Sequence, residues 1–548
     1  MNQSVIENNS RATDLIIPFM IDSASFPPLL GEDYGGSPSD GFFDGFQIFT
    51  YDYTYDQYGN VLTVTREGDS DTAEAVTTMT YDEYGNMVSR TDPEGNTATF
   101  TYDNQGNVLT MTDPEGGVTA YTYDAKGRRL TVTDPLGNVS ESVYNGRDLV
   151  AEAIDPLDNA TSFTYDTYDR PLTVTDPLGN SSEMVYDLDG NLIRKIDQEG
   201  KAMRSVYDEE GRLAKTIDGN GNEIVYDYGD SGAGSCSACA LSGNNQDQPV
   251  RITFPAFARE FVYDLRGRKI VERDILDDYT VYETGYRYDD AGNLIAQIDR
   301  YGRETSFEYD NLKRLVRTVD ADFQETRFSY DNRDNLLTLT DAESNTTSFT
   351  YDRNNRLLSE VRPGGETTFY TYDKNGRLTT RIDPLGNKQI YEYDAAGRLI
   401  HTYQYAVGNL LAPARTITYS YDATGRLAGY DDGESSGTYS YDAVGRKTGE
   451  TVDYGPFSLS QSYGYYKNGT KQSYTGPDGV VYSYSYDANN QLTGVEVPGQ
   501  GFVSVNGYTW NRPNGETLPG GSVKSYGYDG LMRLTGIGVK DPAGNVLM

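Results

Sequence analysis

Three groups of residues in this chain have types and spacings that could do chemistry. Cys236 and Cys239, in the stretch CSAC, have the spacing of half a zinc site or of a redox pair. Zinc needs two more ligands, and the chain holds one histidine, so a local disulfide is the better chemical reading and free thiols in a loop the bland one. No βαβ pattern surrounds the pair to host redox work. Asp218-Gly-Asn220-Gly-Asn222 reads as the opening of an oxygen-ligand calcium loop, but it lacks an acidic twelfth ligand and falls where a turn belongs. His401 follows Leu399-Ile400 with no Ser or Cys partner in motif context. There is no G-x-S-x-G, phosphate-cradling glycine loop or H-E-x-x-H, so no catalytic group and no cofactor is assigned.

The elements that would position these residues are copies of one unit. The 548 residues include 48 Tyr and 58 Gly against one Trp and two Cys, the composition of a motif repeated many times. Tyr recurs at 81, 102, 123, 144, 165, 186 and 207, and again at 288, 309, 330, 351, 372 and 393, always 21 apart. A fixed period in this range means a repeat architecture. Most of these Tyr open the pattern YDxxGR or YDxxGN, and ten residues after its Asp comes DPEGN, DPEGG or DPLGN. In one copy the defining residues are Tyr123, Asp124, Gly127, Asp134, Pro135 and Gly137.

Both signatures are D-x-x-G, which is turn chemistry. Asp bonds back to a backbone N–H two residues on, Pro presets φ, and Gly takes the left-handed position. Where Gly is replaced, Asn or Asp usually stands there, as at Asn355, Asp169 and Asp334; Lys313 and Met532 are exceptions. The seven-residue runs between turns are rich in Thr, Val and Tyr and read as strands. An odd repeat returns side chains to the same face only if the two loops differ in parity. A three-residue loop (135–137) and a four-residue loop (124–127) are therefore expected, making each repeat one β-hairpin of a continuous antiparallel ribbon. This register places Leu109, Met111, Tyr121, Tyr123, Phe307 and Tyr309 on an aromatic face, and Leu294 and Ile298 beside Glu304 and Glu308 on a mixed one. Such a sheet suits wrapping around something better than a sandwich core.

The pattern divides the chain into a leader, plug or docking arm at 1–50, a first block of repeats at 51–227, a Gly/Ser/Cys insert at 228–262, and a second block at 263–548. The second block is irregular after about His401. Trp510-Asn511 stands near the place of a lost Tyr-Asp, and the block stops mid-repeat, which implies a longer natural chain. With 46 basic against 83 acidic residues the net charge is -37, which speaks against nucleic acid and against an anionic membrane surface. No apolar window approaches the ~18 residues of a membrane span, and no signal peptide is recognisable. The acidic, Tyr- and Gly-rich, nearly Cys-free composition is compatible with an extracellular or cell-surface place.

YDxxGR with DPxGN at a 21-residue period over roughly 57–548 resembles the YD-repeat or RHS (rearrangement hotspot) family. The resemblance implies an all-β fold of tandem hairpins coiled into a hollow shell or tube. In bacterial RHS proteins and toxin complexes such shells enclose a toxic C-terminal domain, and in teneurins they serve adhesion. Here the expected role is a non-enzymatic shell around a protein cargo. The alternative is an extracellular structural or adhesive protein that polymerises through residues 1–50. Identical subunits are then the partners, with cell-surface glycans as candidates for the Tyr stripes. Toxin-bearing relatives end the shell with a DPxGxxGG self-cleavage segment, whereas Asp541-Pro542-Ala543-Gly544-Asn545 is an ordinary repeat turn, so no catalytic residue is carried over. Some forty strands at ~4.8 Å give roughly 190 Å of ribbon about 23 Å tall, or a single closed ring about 60 Å across.

Overall fold

The computed structural model describes residues 51–66, 74–229, 247–277, 279–408 and 411–548. The chain divides into two units, Met1–Phe46 and Gln47–Met548, and every described strand belongs to the second. The predicted leader at 1–50 and both cysteines lie outside the described residues.

The described residues are all β. Of 46 strands, 44 form one antiparallel sheet in which neighbours in sequence pair with one another; the other two form a small hairpin at Tyr508–Thr509 and Arg512–Pro513. Strands are five and six residues long in a typical repeat, as in Val108–Thr112 and Val118–Tyr123, shorter than the seven expected.

The two loops do not differ. At the DP turn, Asp134 N–H donates to the Asn138 carbonyl (2.9 Å) and Gly137 N–H to the Asp134 carbonyl (3.0 Å). At the YD turn, Asp124 and Arg128, and Gly127 and Asp124, make the same two bonds at 3.0 Å, so Ala125–Gly127 is a three-residue loop rather than the four-residue one expected. Both are turns closed by a glycine with positive φ, 79° at Gly127 and 88° at Gly137. The odd residue sits in the strand instead. Thr122 pairs with Thr131 and Tyr123 with Arg129, leaving Leu130 as a β-bulge, and the same shift follows the other YD turns from Tyr55 to Tyr528. The parity requirement was sound, but a bulge meets it.

The bulge also corrects the faces. Met111 pairs with Phe100, Tyr121 with Val132, and Ile298 with Glu304, as the alternation predicts. Leu294, expected beside Ile298, pairs with Tyr288 because the register shifts between them, and Leu109 occupies a bulge. Opposite the aromatic row runs a row of hydroxyl pairs: Thr101 with Thr110, Thr122 with Thr131 and Thr164 with Thr173, at 2.6–2.7 Å. Among the described residues only Ala75, Val250, Ala258, Tyr263, Ala296 and Met532 are buried hydrophobics. The ribbon is therefore held by cross-strand pairs and turn bonds rather than by a central core.

Candidate functional site: the seam of the coil

Each turn is built around its aspartate. Asp124 Oδ1 accepts from Lys126 and Arg128 N–H at 2.9 and 3.0 Å, and its Oδ2 accepts from Arg128 Nε at 2.7 Å. Asp134 does the same with Leu136 and Asn138, whose side-chain amide takes the place of the guanidinium. The Arg128 hydrogen bond is the largest influence on the Asp124 carboxyl and holds it below the usual carboxylate value. Pro135 presets the first loop position of the DP turn.

The repeat tyrosine and arginine join one hairpin to the next. The strand after each YD turn pairs forward only through its later residues, as Ser89–Thr91 do with Thr97–Thr99, which leaves the Met87 carbonyl without a ladder partner on that side. The Tyr102 hydroxyl donates to it at 2.7 Å. The same bond recurs from Tyr144 to Arg129, Tyr165 to Val150, Tyr351 to Leu336 and Tyr372 to Leu357 at 2.7–3.0 Å. It survives the insert, where Tyr263 reaches Pro249 at 3.0 Å. Burial and the turn carboxylates Asp331, Asp352 and Asp373 raise the phenol pKa of Tyr351, Tyr372 and Tyr393, which keeps them as donors. Arg356, Arg377, Arg398, Arg426 and Arg446 each lie 4.9–5.0 Å from the ring of the next repeat tyrosine. Their guanidinium groups also donate to a carbonyl of the next turn, at 2.9–3.4 Å.

The site unforeseen from the sequence is where the ribbon meets itself. Arg353 N–H donates to Glu94 Oε1 at 2.7 Å, and Asn354 Nδ2 to Asp92 Oδ2 at 2.6 Å. One repeat on, Lys374 N–H reaches Glu115 (2.8 Å) and Asn375 reaches Asp113 (2.9 Å). Further along, Lys467 and Asn468 bond Glu199 and Asp197, and Asn489 bonds Asp218, at 2.8–2.9 Å. The DP turns of the first winding thus face the YD turns of the second. The sequence separation varies from 259 to 271 residues, yet the strand count does not. Asp92 follows the fourth strand and Asn354 the twenty-seventh; Asp197 follows the fourteenth and Asn468 the thirty-seventh; the difference is 23 each time.

The third residue of each turn matches across this seam. Glu94, Glu115 and Glu199 face turns carrying Asn354, Asn375 and Asn468. By the same count Leu136, Leu157 and Leu178 lie opposite the turns of Ala396, Thr424 and Val444. Those leucines are 41–47% exposed, against 77% for Leu385 in a DP turn of the second winding. Phe254 and Phe257 meet Trp510, with ring centroids 5.5 and 6.4 Å apart. Approach is close enough that a Cβ at Gly219 would overlap the Ala488 carbonyl oxygen. Burial opposes ionisation of Asp92 and Asp197, but the amides of Asn96 and Asn354, and of Asn468 and Asn490, outweigh it and lower both carboxyls.

The remaining candidates take their places around this seam. Asp218 Oδ1 accepts from Asn220 and Asn222 N–H, and Oδ2 from the Asn222 and Asn489 side-chain amides, while Asn220 donates to Asp487. Among the described residues no group of three or more His, Cys, Asp or Glu is placed to hold a metal. His401 lies on the strand Leu399–Tyr405, with Nδ1 3.2 Å from Thr418 Oγ1 and its ring against Tyr403. Trp510 does not replace the repeat tyrosine; Tyr508 does, its hydroxyl donating to the Leu492 carbonyl at 2.8 Å. The signal for the seam was present in the sequence, since Asn takes the third turn position of the YD row only at 354, 375, 468 and 489.

A ring of 23 strands at about 4.8 Å has a backbone circumference of about 110 Å and a diameter of about 35 Å, so the ribbon winds nearly twice instead of closing once at about 60 Å. Barrels of about 16 to 18 strands already leave an open channel, and this ring is wider.

Comparison with known proteins agrees with this architecture. A teneurin YD-shell model matches residues 234–410, and an RHS repeat model matches 81–118, 102–139, 144–181 and 186–230. No curated protein matches. Among solved structures the chain is similar to the TcdB2-TccC3-Cdc42 crystal structure, with 15% identity, a TM-score of 0.65, and coverage of 89% of this chain and 34% of that one. It is also similar to a Photorhabdus luminescens Tc holotoxin pore carrying a mutated TccC3, with 16% identity, a TM-score of 0.54, and coverage of 89% and 29%. The chain spans about a third of the length of the chains it matches. With its bulged 21-residue hairpins wound into a seamed shell, this chain belongs to the YD-repeat, or RHS-repeat, family.

Proposed function

We propose that this chain is a non-enzymatic wall segment of a shell that encloses a protein cargo, in an extracellular or cell-surface setting. The observation that carries the reading is the seam: turns 23 strands apart are joined by matched side chains, so the wall is closed sideways around a space wider than its side chains can fill. The solved structures similar in fold are assemblies with other proteins, among them one with Cdc42 and a toxin pore. No helix among the described residues is long and apolar enough to cross a membrane.

The test is protection. A small protease-sensitive passenger fused after Met548 is expected to resist digestion in the intact chain. It should become cleavable when Asn354→Leu and Asn375→Leu remove two seam bonds. A passenger cut at the same rate with and without the wall overturns enclosure. Faster hydrogen exchange at the Arg353 and Lys374 amides, with no change at Gly127, would show that the seam alone had been opened.

A further inference from the structure

The seam is held in part by residues that can change themselves. Each turn asks for a left-handed residue, usually glycine, at its fourth place, and the seam asks for an amide at the third. Where both demands meet, the chain reads Asn-Gly, as at Asn375-Gly376 and Asn468-Gly469 in the YD row and at Asn220-Gly221 in the DP row. Asn375 donates to Asp113 Oδ2 at 2.9 Å, Asn468 to Asp197 Oδ2 at 2.8 Å and Asn220 to Asp487 Oδ2 at 2.8 Å. Gly376, Gly469 and Gly221 have φ of 83°, 86° and 83°. The other two seam amides, Asn354 and Asn489, are followed instead by Asn355 and Asn490. Asn-Gly is the dipeptide in which a backbone nitrogen most readily attacks the side-chain amide before it, because glycine brings no Cβ to hinder the approach. In the folded turn that nitrogen is engaged: Gly376 N–H donates to the Asp373 carbonyl at 3.1 Å and Gly469 N–H to the Tyr466 carbonyl at 3.0 Å.

We propose that Asn375, Asn468 and Asn220 are deamidation sites that make opening of the seam irreversible. When the turn opens, Gly376 N bonds to Asn375 Cγ, and the Asn375 amide nitrogen leaves with the Gly376 proton as ammonia. Water then adds to the cyclic imide and leaves aspartate or isoaspartate. One water is consumed for each ammonia released, and nothing is oxidised or reduced. Either product defeats reclosure. The aspartate has no N–H to give Asp113 and sets carboxylate against carboxylate, where Asn375 Oδ1 is already buried with no hydrogen-bond partner among the described residues. Isoaspartate adds a methylene to the backbone and destroys the three-residue turn. A closed seam protects the asparagines, so the reaction counts openings. The same dipeptide outside the seam carries no such consequence. Asn145-Gly146 begins a YD turn in which Asn145 Oδ1 accepts from the Arg147 and Leu149 N–H groups, and Asp holds that place in most other YD turns. The inference concerns the seam alone, so it and enclosure stand or fall separately.

Peptide mapping by mass spectrometry of the full chain, aged in mildly alkaline buffer, tests it. Asn220, Asn375 and Asn468 should convert at least about tenfold more slowly than in free peptides of the same sequence, and Asn354 and Asn489 more slowly still. Glu115→Ala, which removes the acceptor of the Lys374 N–H, should speed Asn375 about 2- to 10-fold, the worth of one such bond, and leave Asn468 unchanged. Glu199→Ala should do the reverse. Asn375→Asp, the product itself, should raise hydrogen exchange at the Lys374 amide about tenfold or more, whereas Asn145→Asp should not. Rates at Asn375 and Asn468 that match the free peptides, or that ignore both glutamate variants, overturn the proposal. So does an Asn375→Asp chain whose seam amides exchange as in the native one.

Discussion

The tyrosine that recurs in each repeat is a hydrogen-bond donor before it is an apolar filler. Its hydroxyl satisfies the one carbonyl that a bulged strand cannot pair forward, and losing such a bond from a part-buried site costs about 0.5–1.5 kcal/mol. Tyr372→Phe should therefore lower the unfolding free energy, read from a denaturant titration, by that amount. Tyr168→Phe, at an exposed turn tip, should change it by less than about 0.3 kcal/mol. Equal effects would mean that the ring alone matters. At this scale the sequence was readable in part. The D-x-x-G chemistry of Asp124 and Asp134 followed from residue types, but the acceptor of the tyrosine did not, because it exists only once a bulge has shifted the register.

At the scale of the hairpin, two identical three-residue turns and one bulge make up the 21 residues. Parity arithmetic demanded one odd residue per repeat and could not say whether a loop or a strand held it; Leu130 shows that the strand does. The turns themselves depend on the left-handed residue. Gly127, at φ 79° with only the Asn107 side chain near its missing Cβ, should lose about 1 kcal/mol on Gly127→Ala and less than half of that on Gly127→Asn, measured as a melting shift. Asn355 and Asn490 already hold the equivalent place at φ 61° and 58°. Alanine and asparagine variants of equal stability would remove backbone strain as the reason for glycine. The fold class, the hairpin and the ribbon were legible because they are written locally and many times over. The seam was not, because it matches residues such as Glu94 and Asn354 that only a count of strands brings together.

Across the whole molecule the turn carboxylates and the repeat phenols define the pH range in which the shell holds. Asp92 and Asp197 lie below 3.8 in the folded chain, so their contribution is complete above that value and is lost as pH falls through the folded values. Tyr351, Tyr372 and Tyr393 lie above 10.0 when folded, so their contribution is complete below 10.0 and is lost as pH rises through the folded values. Thermal midpoints should therefore be nearly flat from about pH 5 to 9 and fall on both sides, the acid side first at the seam. A steady slope across the neutral range would show that the net charge of -37, not these groups, controls stability.

The alternation of Arg and Asn after the YD turns gives the ribbon a mechanical direction. Asn60, Asn86 and Asn107 hold only their own turn, whereas Arg356, Arg377, Arg398, Arg426 and Arg446 also grip the next. The joints between hairpins in Tyr51–Asp113 thus rest on the tyrosine bond and the seam, whereas those from Arg356 to Arg446 are riveted a second time by a guanidinium, which makes that stretch the stiffer part of the wall.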